Sequence, residues 1–166
     1  SYEFNDSWTF FGGVHRGYST PSPRALIKDN LEEESSVQLE FGARYQNKAL
    51  SGELTLFRTD HQDLIVIDNV GGSGTGDSNN GGDIDVFGVE MQVNYDLGIG
   101  RGWKFKNPYF LTLTYTDATF DGNNNSTDTE SIFAGARNGN EVPYIPRLQF
   151  TIGAGLEFEK FSIFVE

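Results

Sequence analysis

The sequence predicts an all-β protein, an antiparallel up-and-down meander of about seven strands, on three observations. Apolar and polar residues alternate strictly over several stretches, which is the period of a strand with one oily and one wet face. No stretch carries a convincing helical period; Leu31–Ser36 has room for a single turn. The connections alternate long and short along the chain, as they do when one rim of a meander carries loops and the other carries turns.

In chain order, Trp8–Tyr18 gives a first, weaker strand, followed by the long connection Ser19–Ser35. Val37, Leu39, Phe41, Ala43 and Tyr45 then alternate with Gln38, Glu40, Gly42 and Arg44. After the short turn Gln46–Lys48, Ala49–Asp68 reads as a strand whose phase is lost at Phe57 and Arg58, where a bulge is expected. The long Gly-rich segment Val70–Asp83 leads to Phe87–Leu97, where Phe87, Val89, Met91, Val93, Tyr95 and Leu97 are the apolar set. Beyond Gly98–Gly102 lies Tyr109–Tyr115, and beyond the long segment Asp121–Pro146 lies Leu148–Phe158. Glu159–Lys160 turns the chain into Phe161–Val165.

Alternation alone does not say whether the oily face is a core or a lipid-facing surface. In a soluble β-sandwich it packs against a second sheet; in a transmembrane β-barrel it faces lipid and the polar parity lines the lumen. Aromatic residues end the apolar sets (Tyr45, Phe87, Tyr95, Tyr115, Phe158), as in a membrane-interface girdle. Gly42, Gly88, Gly153 and Gly155 fall on the polar parity, and the long connections exceed what a compact domain usually carries. Both point to the barrel. The sandwich, as an acidic binding module using aromatics such as Tyr18, Trp103 or Tyr144, remains the rival reading.

Composition removes other classes. Acidic residues outnumber basic ones 24 to 12, a net charge of −12 that argues against a nucleic-acid surface. There is no Cys, hence no disulfide framework and no thiolate metal site. No apolar run is long enough for a membrane helix. The chain opens Ser1-Tyr2-Glu3-Phe4 without a signal peptide and ends Phe161–Glu166 in mid-strand, so both ends are expected to be cut. His15 and His61 have no third ligand in obvious relation, and no nucleophile–base pair is legible, so neither a metal, a cofactor nor an enzyme is expected. Asp121–Asp128 alternates oxygen ligands but has Ser126 where a calcium loop needs Gly and Ile132 where it needs Glu; it reads as a solvated loop. Glu40, Glu90 and Glu157 share the polar parity and read as a lumen wall balanced by Arg44 and Arg147.

Five segments carry a family resemblance. Phe10–Pro23 (FFGGVHRGYSTPSP) is similar to a strand end with an aromatic-x-x-basic-Gly-aromatic pattern and a Pro-bearing loop. Leu31-Glu-Glu-Glu-Ser-Ser followed by Val37–Tyr45 is similar to L-x-x-E-x-S-x-x-x-E-x-G-x-R-Y, and Leu50–Phe57 into Asp60–Ile67 looks like its usual successor. Phe87-Gly-Val-Glu-Met91 resembles a G-[VI]-E strand start, and Val142-Pro-Tyr-Ile-Pro-Arg147 a V-P-[YF]-x-P-[KR] lead into a strand. In this order they resemble the TonB-dependent outer-membrane receptors, the siderophore and iron-chelate transporters, and within them the ferric citrate receptor branch.

The resemblance implies that residues 1–166 are a C-terminal-side segment of a receptor β-barrel in the outer membrane of a Gram-negative bacterium, about a third of some 22 strands, with the plug domain absent. It implies an iron-chelate ligand, a TonB complex acting through the missing N-terminal plug, and contact with outer-membrane lipid. An anionic chelate calls for arginine, whose planar fork pairs with carboxylates; Arg16, Arg24 and Arg137 are the candidates at the loop rim. The segment Ile132–Arg137 is expected to fold inward over a ligand. A passive porin segment would share the strands without the five motifs.

Overall fold

The computed structural model describes residues 1–23, 31–67, 78–122 and 135–166. Its elements are β1 (Tyr2–Glu3), β2 (Trp8–Ser19), β3 (Glu34–Gln46), β4 (Leu50–Gln62), β5 (Ile65–Ile67), β6 (Ser78–Asn80), β7 (Asp83–Asp96), α1 (Leu97–Arg101), β8 (Pro108–Asp121), β9 (Leu148–Glu157) and β10 (Ser162–Val165). Among the described residues, eight strands make one antiparallel sheet in the order β1-β2-β3-β4-β7-β8-β9-β10, a meander from which only the small β5–β6 hairpin departs. The all-β meander is thus as read, with the short β1 added at the first edge.

The face assignment holds across the sheet. Leu39 lies opposite Arg58, which faces Phe87, whereas Glu90 lies opposite Thr55, which faces Gly42; Leu39 and Glu90 are on opposite sides. No second sheet covers the apolar side among the described residues, and Phe41, Phe150 and Ile152 are 59%, 67% and 65% exposed. A sandwich would bury these side chains.

The apolar band also slants. Phe41, the middle of the β3 apolar set, is carried by register through Leu56, Val89 and Tyr115 to Leu148. The middle of the β9 set is Ile152, four residues further along the strand. Four residues over four strand-to-strand steps is about one residue per strand. At roughly 3.3 Å per residue and 4.8 Å between strands, this corresponds to strands tilted by about 35° to the normal of the band, the tilt of a closed barrel.

Two expectations need correction. There is no bulge at Phe57 and Arg58: the register runs unbroken from Leu39↔Arg58 to Glu40↔Phe57. The alternation fails there because Phe57 drops onto Gly88 on the polar face, while Arg58 stands above the apolar band and pairs with Asp85 at 2.7 Å. Leu31–Ser36 makes no helical turn: residues 31–33 are irregular and β3 begins at Glu34. The one helix with described ends is α1, five residues long, capped by Asp96, whose Oδ1 accepts from Ile99 N, and closed by Gly102 at φ 70°.

Phe57 over Gly88 belongs to a pattern. On the polar face Phe11 lies directly opposite Gly42, Phe110 opposite Gly153 and Phe164 opposite Gly155, and in each case a Cβ on the glycine would run into the phenylalanine ring. The glycines on the polar parity are thus sockets for cross-strand rings, the pairing that stabilises glycine-bearing strands.

Candidate functional site

The polar face of the sheet and the loops that fold over one end of it form the candidate site. In mid-sheet, Arg44 reaches across to Glu53, with Nε 2.6 Å and an Nη 3.3 Å from the two carboxylate oxygens. Its guanidinium also lies 4.4 Å from the centre of the Phe11 ring. The ring socketed on Gly42 therefore supports the cation that neutralises Glu53. Next to this pair a shallow groove of about 300 Å³ is floored by Thr55, Glu90, Gln92, Thr112 and Thr114, with Glu53 at its edge. On β2 and β3, His15 Nε2 lies 3.2 Å from Glu40; at the short-turn end Lys106 pairs with Glu157 at 2.9 Å.

This is the polar wall the sequence implied, with one change of partner. Arg147 does not face the wall; it pairs with Glu141 at 2.7 Å and Asp117 at 3.5 Å, and Asp117 lies opposite Phe87 on the apolar parity. Cross-strand geometry sets this: residues 139–142 pair alongside β8, with Glu141 opposite Thr119, so Arg147 re-enters beside the acids of the outer side.

At the long-loop end the polar face turns oily. Ile84, Ala118, Phe120 and Val142 are buried together, with Leu64, Val86 and Ala136 packed against them. Leu64 comes from the β4–β7 connection, and Ala136 and Val142 from the β8–β9 connection. Two long connections therefore converge on the polar side of the sheet and close over its end. Phe120 N donates to Asn140 O at 2.9 Å and Val142 N to Ala118 O at 3.0 Å, which holds the second connection in place.

A second fastening joins the β2–β3 and β4–β7 connections. Asn80 Nδ2 donates to Asp63 O at 2.8 Å and Glu32 O at 3.3 Å, and its Oδ1 accepts from Glu32 N at 2.9 Å. Burial, reinforced by the neighbouring Glu32 and Asp83 charges, holds the Asp63 carboxyl above the usual carboxylate range. Neither Asn80 nor Asp63 was singled out by sequence reasoning. An Asn in a Gly/Asn-rich run signals a turn, and nothing local announces that it binds backbone 48 residues away.

The three arginines fare differently. Arg16 lies opposite Val37 and shares its parity with Trp8, Phe10 and Val14, so it stands on the apolar side, away from the wall. Arg24 is outside the described residues. Arg137 adjoins Ala136 of the inner cluster; its N donates to Asn140 Oδ1 at 2.9 Å and its O accepts from Asn140 N at 2.9 Å, so its backbone is fixed while its side chain is exposed. Three strands (β3, β4 and β7) lie between β2, which carries Arg16, and β8, beside which the Arg137 connection runs, and the two arginines are not brought together. Of Ile132–Arg137, residues 132–134 lie outside the described residues, as does most of Asp121–Asp128; Ala136 folds inward. Among the described residues no group of three or more His, Asp or Glu side chains is arranged to hold a metal ion.

The sequence matches the family described as TonB dependent receptor-like, beta-barrel, over residues 1–164. The fold is similar to the copper transporter OprC (TM-score 0.67, 22% identity, 96% of this chain and 23% of that one). It is similar also to the ferric citrate transporter FecA in its unliganded form (0.65, 24%, 93% and 22%) and to the ferric yersiniabactin uptake receptor FyuA from Yersinia pestis (0.61, 19%, 98% and 23%). The chain spans less than a quarter of the length of these structures.

Proposed function

Since the chain belongs to the TonB-dependent receptor-like β-barrel family, we propose that residues 1–166 are a C-terminal-side stretch of the wall of an outer-membrane receptor. The receptor takes up an iron chelate, a ferric siderophore or ferric citrate, and is energised by TonB through a plug domain. On this reading it is a transporter and not an enzyme. The apolar parity faces lipid, and the wall of Arg44, Glu53, Glu90 and the threonines lines the lumen.

The observation that carries the reading is the closure of two long connections over the polar side of the sheet, through Leu64, Ala136 and Val142. Loops mounted on a rigid wall are where ligand contacts concentrate. Here they are held on the lumen side by a few buried apolar groups, an arrangement able to open and close. Of the three candidate arginines, Arg137 is the one carried on the closing segment. It is assigned to a carboxylate or similar anionic oxygen of the chelate.

The test is made in the intact receptor with ferric citrate, one ferric catecholate and one ferric hydroxamate as probes. Arg137→Ala is expected to weaken binding of the cognate probe about ten- to a hundredfold, the usual loss for a charge-assisted contact. Deleting Asn123–Gly139 is expected to abolish uptake while the barrel still assembles. Unchanged affinity and uptake in both variants would remove this connection from the ligand path.

A further inference from the structure

The short-turn end of the sheet carries a feature that the transport reading does not use. Trp103, Phe105, Phe158 and Phe161 form one continuous ladder of rings, with successive centroids 5.0, 4.9 and 4.7 Å apart and successive planes inclined by 31°, 23° and 25°. The ladder joins two separate turns, β7–β8 and β9–β10. Phe158 continues the apolar parity of Leu156, so the ladder lies on the apolar side, at its lower border. Its base is rigid. Asp96 Oδ1 accepts from both Ile99 N and Asn107 N, Asn107 Nδ2 donates to Gly155 O at 2.6 Å, and Trp103 N donates to Gly98 O at 2.8 Å.

Around the ladder the charge runs against that of the chain. Arg101, Lys104 and Lys160 are exposed, and none of them has an ion pair with a described residue. Lys106 is satisfied by Glu157, and Asp96 is engaged as a cap. Glu159 is the remaining nearby acid. In a chain of net charge −12, three cations without an ion pair against the two acids Asp96 and Glu159, at the foot of an exposed aromatic ladder, is a local inversion of sign.

We propose that this corner binds an anionic phospholipid of the leaflet on the short-turn side. Its acyl chains would lie on the apolar face along Leu156, Ile163 and Val165, its ester region against the ring ladder, and its phosphate among Arg101, Lys104 and Lys160. Rings at the interface set the depth, and long cationic side chains reach from apolar surface to the headgroup level. The site rests on the reading of the apolar face as lipid-facing, and adds to it a preference for charge.

The test uses the intact receptor in phosphatidylcholine vesicles containing a minor fraction of either brominated phosphatidylglycerol or brominated phosphatidylcholine. Quenching of Trp103 is read as the difference between the parent and Trp103→Phe. Brominated phosphatidylglycerol is expected to quench Trp103 at least twofold more than brominated phosphatidylcholine at equal mole fraction, with the excess shrinking in high salt. The triple variant R101Q, K104Q, K160Q should remove the excess, and the charge-preserving pair K104R, K160R should retain it. Equal quenching by the two lipids in the parent would overturn the anionic site while leaving the face lipid-exposed. Absence of quenching by either would overturn both. An excess that survives the triple variant would assign the preference elsewhere and refute the site.

Discussion

Between β2 and β8 the register runs from end to end without a slip, and rings on one strand fill glycine sockets on the next at Phe11–Gly42 and Phe57–Gly88. At the long-loop rim the same chain is held by different means: one asparagine that bridges two connections, a cluster of four buried apolar residues, and a carboxyl kept in an unfavourable environment. The wall is secured by many equivalent contacts, so disturbing one residue disturbs the sheet on both sides of it. The rim is secured by few contacts, each local. Elements that move on ligand binding come from the least stable parts of a fold; on the function proposed above, this division would put rigidity in the lumen wall and weakness at the gate.

The largest expected effect is in the wall. Gly88→Val would drive a branched side chain into the Phe57 ring, which already lies where a Cβ would be placed. Overpacking of this kind costs about 1–3 kcal/mol, and in a continuous sheet the cost falls on global stability. Denaturant unfolding of the intact receptor should show a lowered midpoint for Gly88→Val and a smaller combined loss in the Gly88→Val, Phe57→Ala double variant than the two single losses predict. Strict additivity would mean that ring and glycine are not coupled, and the contrast with the rim would lose its basis.

Much of the wall was legible in advance because the period of two survives any error about loops. Val37–Tyr45 and Phe87–Tyr95 declare their faces residue by residue, and register then follows from keeping one face oily. The same rule, applied to β2, would have placed Arg16 with Trp8, Phe10 and Val14 on the apolar side; that signal was present and was overridden by the position of Arg16 near a loop. Other features were out of reach. Phe57 looked like a phase error because its socket, Gly88, lies 31 positions away and is identified only by register. Helix α1 is too short for a helical period to show. Asn80 acts through backbone groups of Glu32 and Asp63, and backbone partners leave no trace in a sequence.

The next effect is local. Asn80→Ala removes three hydrogen bonds that tie residues 32 and 63 together, each worth about 0.5–1.5 kcal/mol net. If the rim is an independent unit, amide hydrogen exchange should speed up at Glu32 and at the neighbouring Leu64 and Gly81, whose amides donate across this connection. Exchange at Leu39, Val89 and Leu113 in the wall should stay unchanged. Accelerated exchange in the wall would show that the rim and the wall open together.

The smallest effect is a pH dependence of the rim alone. The Asp63 carboxyl is raised, chiefly by burial and then by Glu32 and Asp83, above its ordinary 3.8. The closed rim therefore holds the Asp63 proton more tightly than the open one. The stabilisation from that protonated carboxyl is complete below the ordinary value and is lost as pH rises through the raised one, so closure should weaken with rising pH in the mildly acidic range just above 3.8. Asp63 has φ 56°, a conformation that asparagine adopts readily, so Asp63→Asn mimics the protonated form without backbone strain. Hydrogen exchange at Leu64, corrected for the intrinsic pH effect, should show opening that grows through this window in the parent and stays flat in Asp63→Asn. An identical slope in both proteins would leave Asp63 a bystander in the closing of the rim.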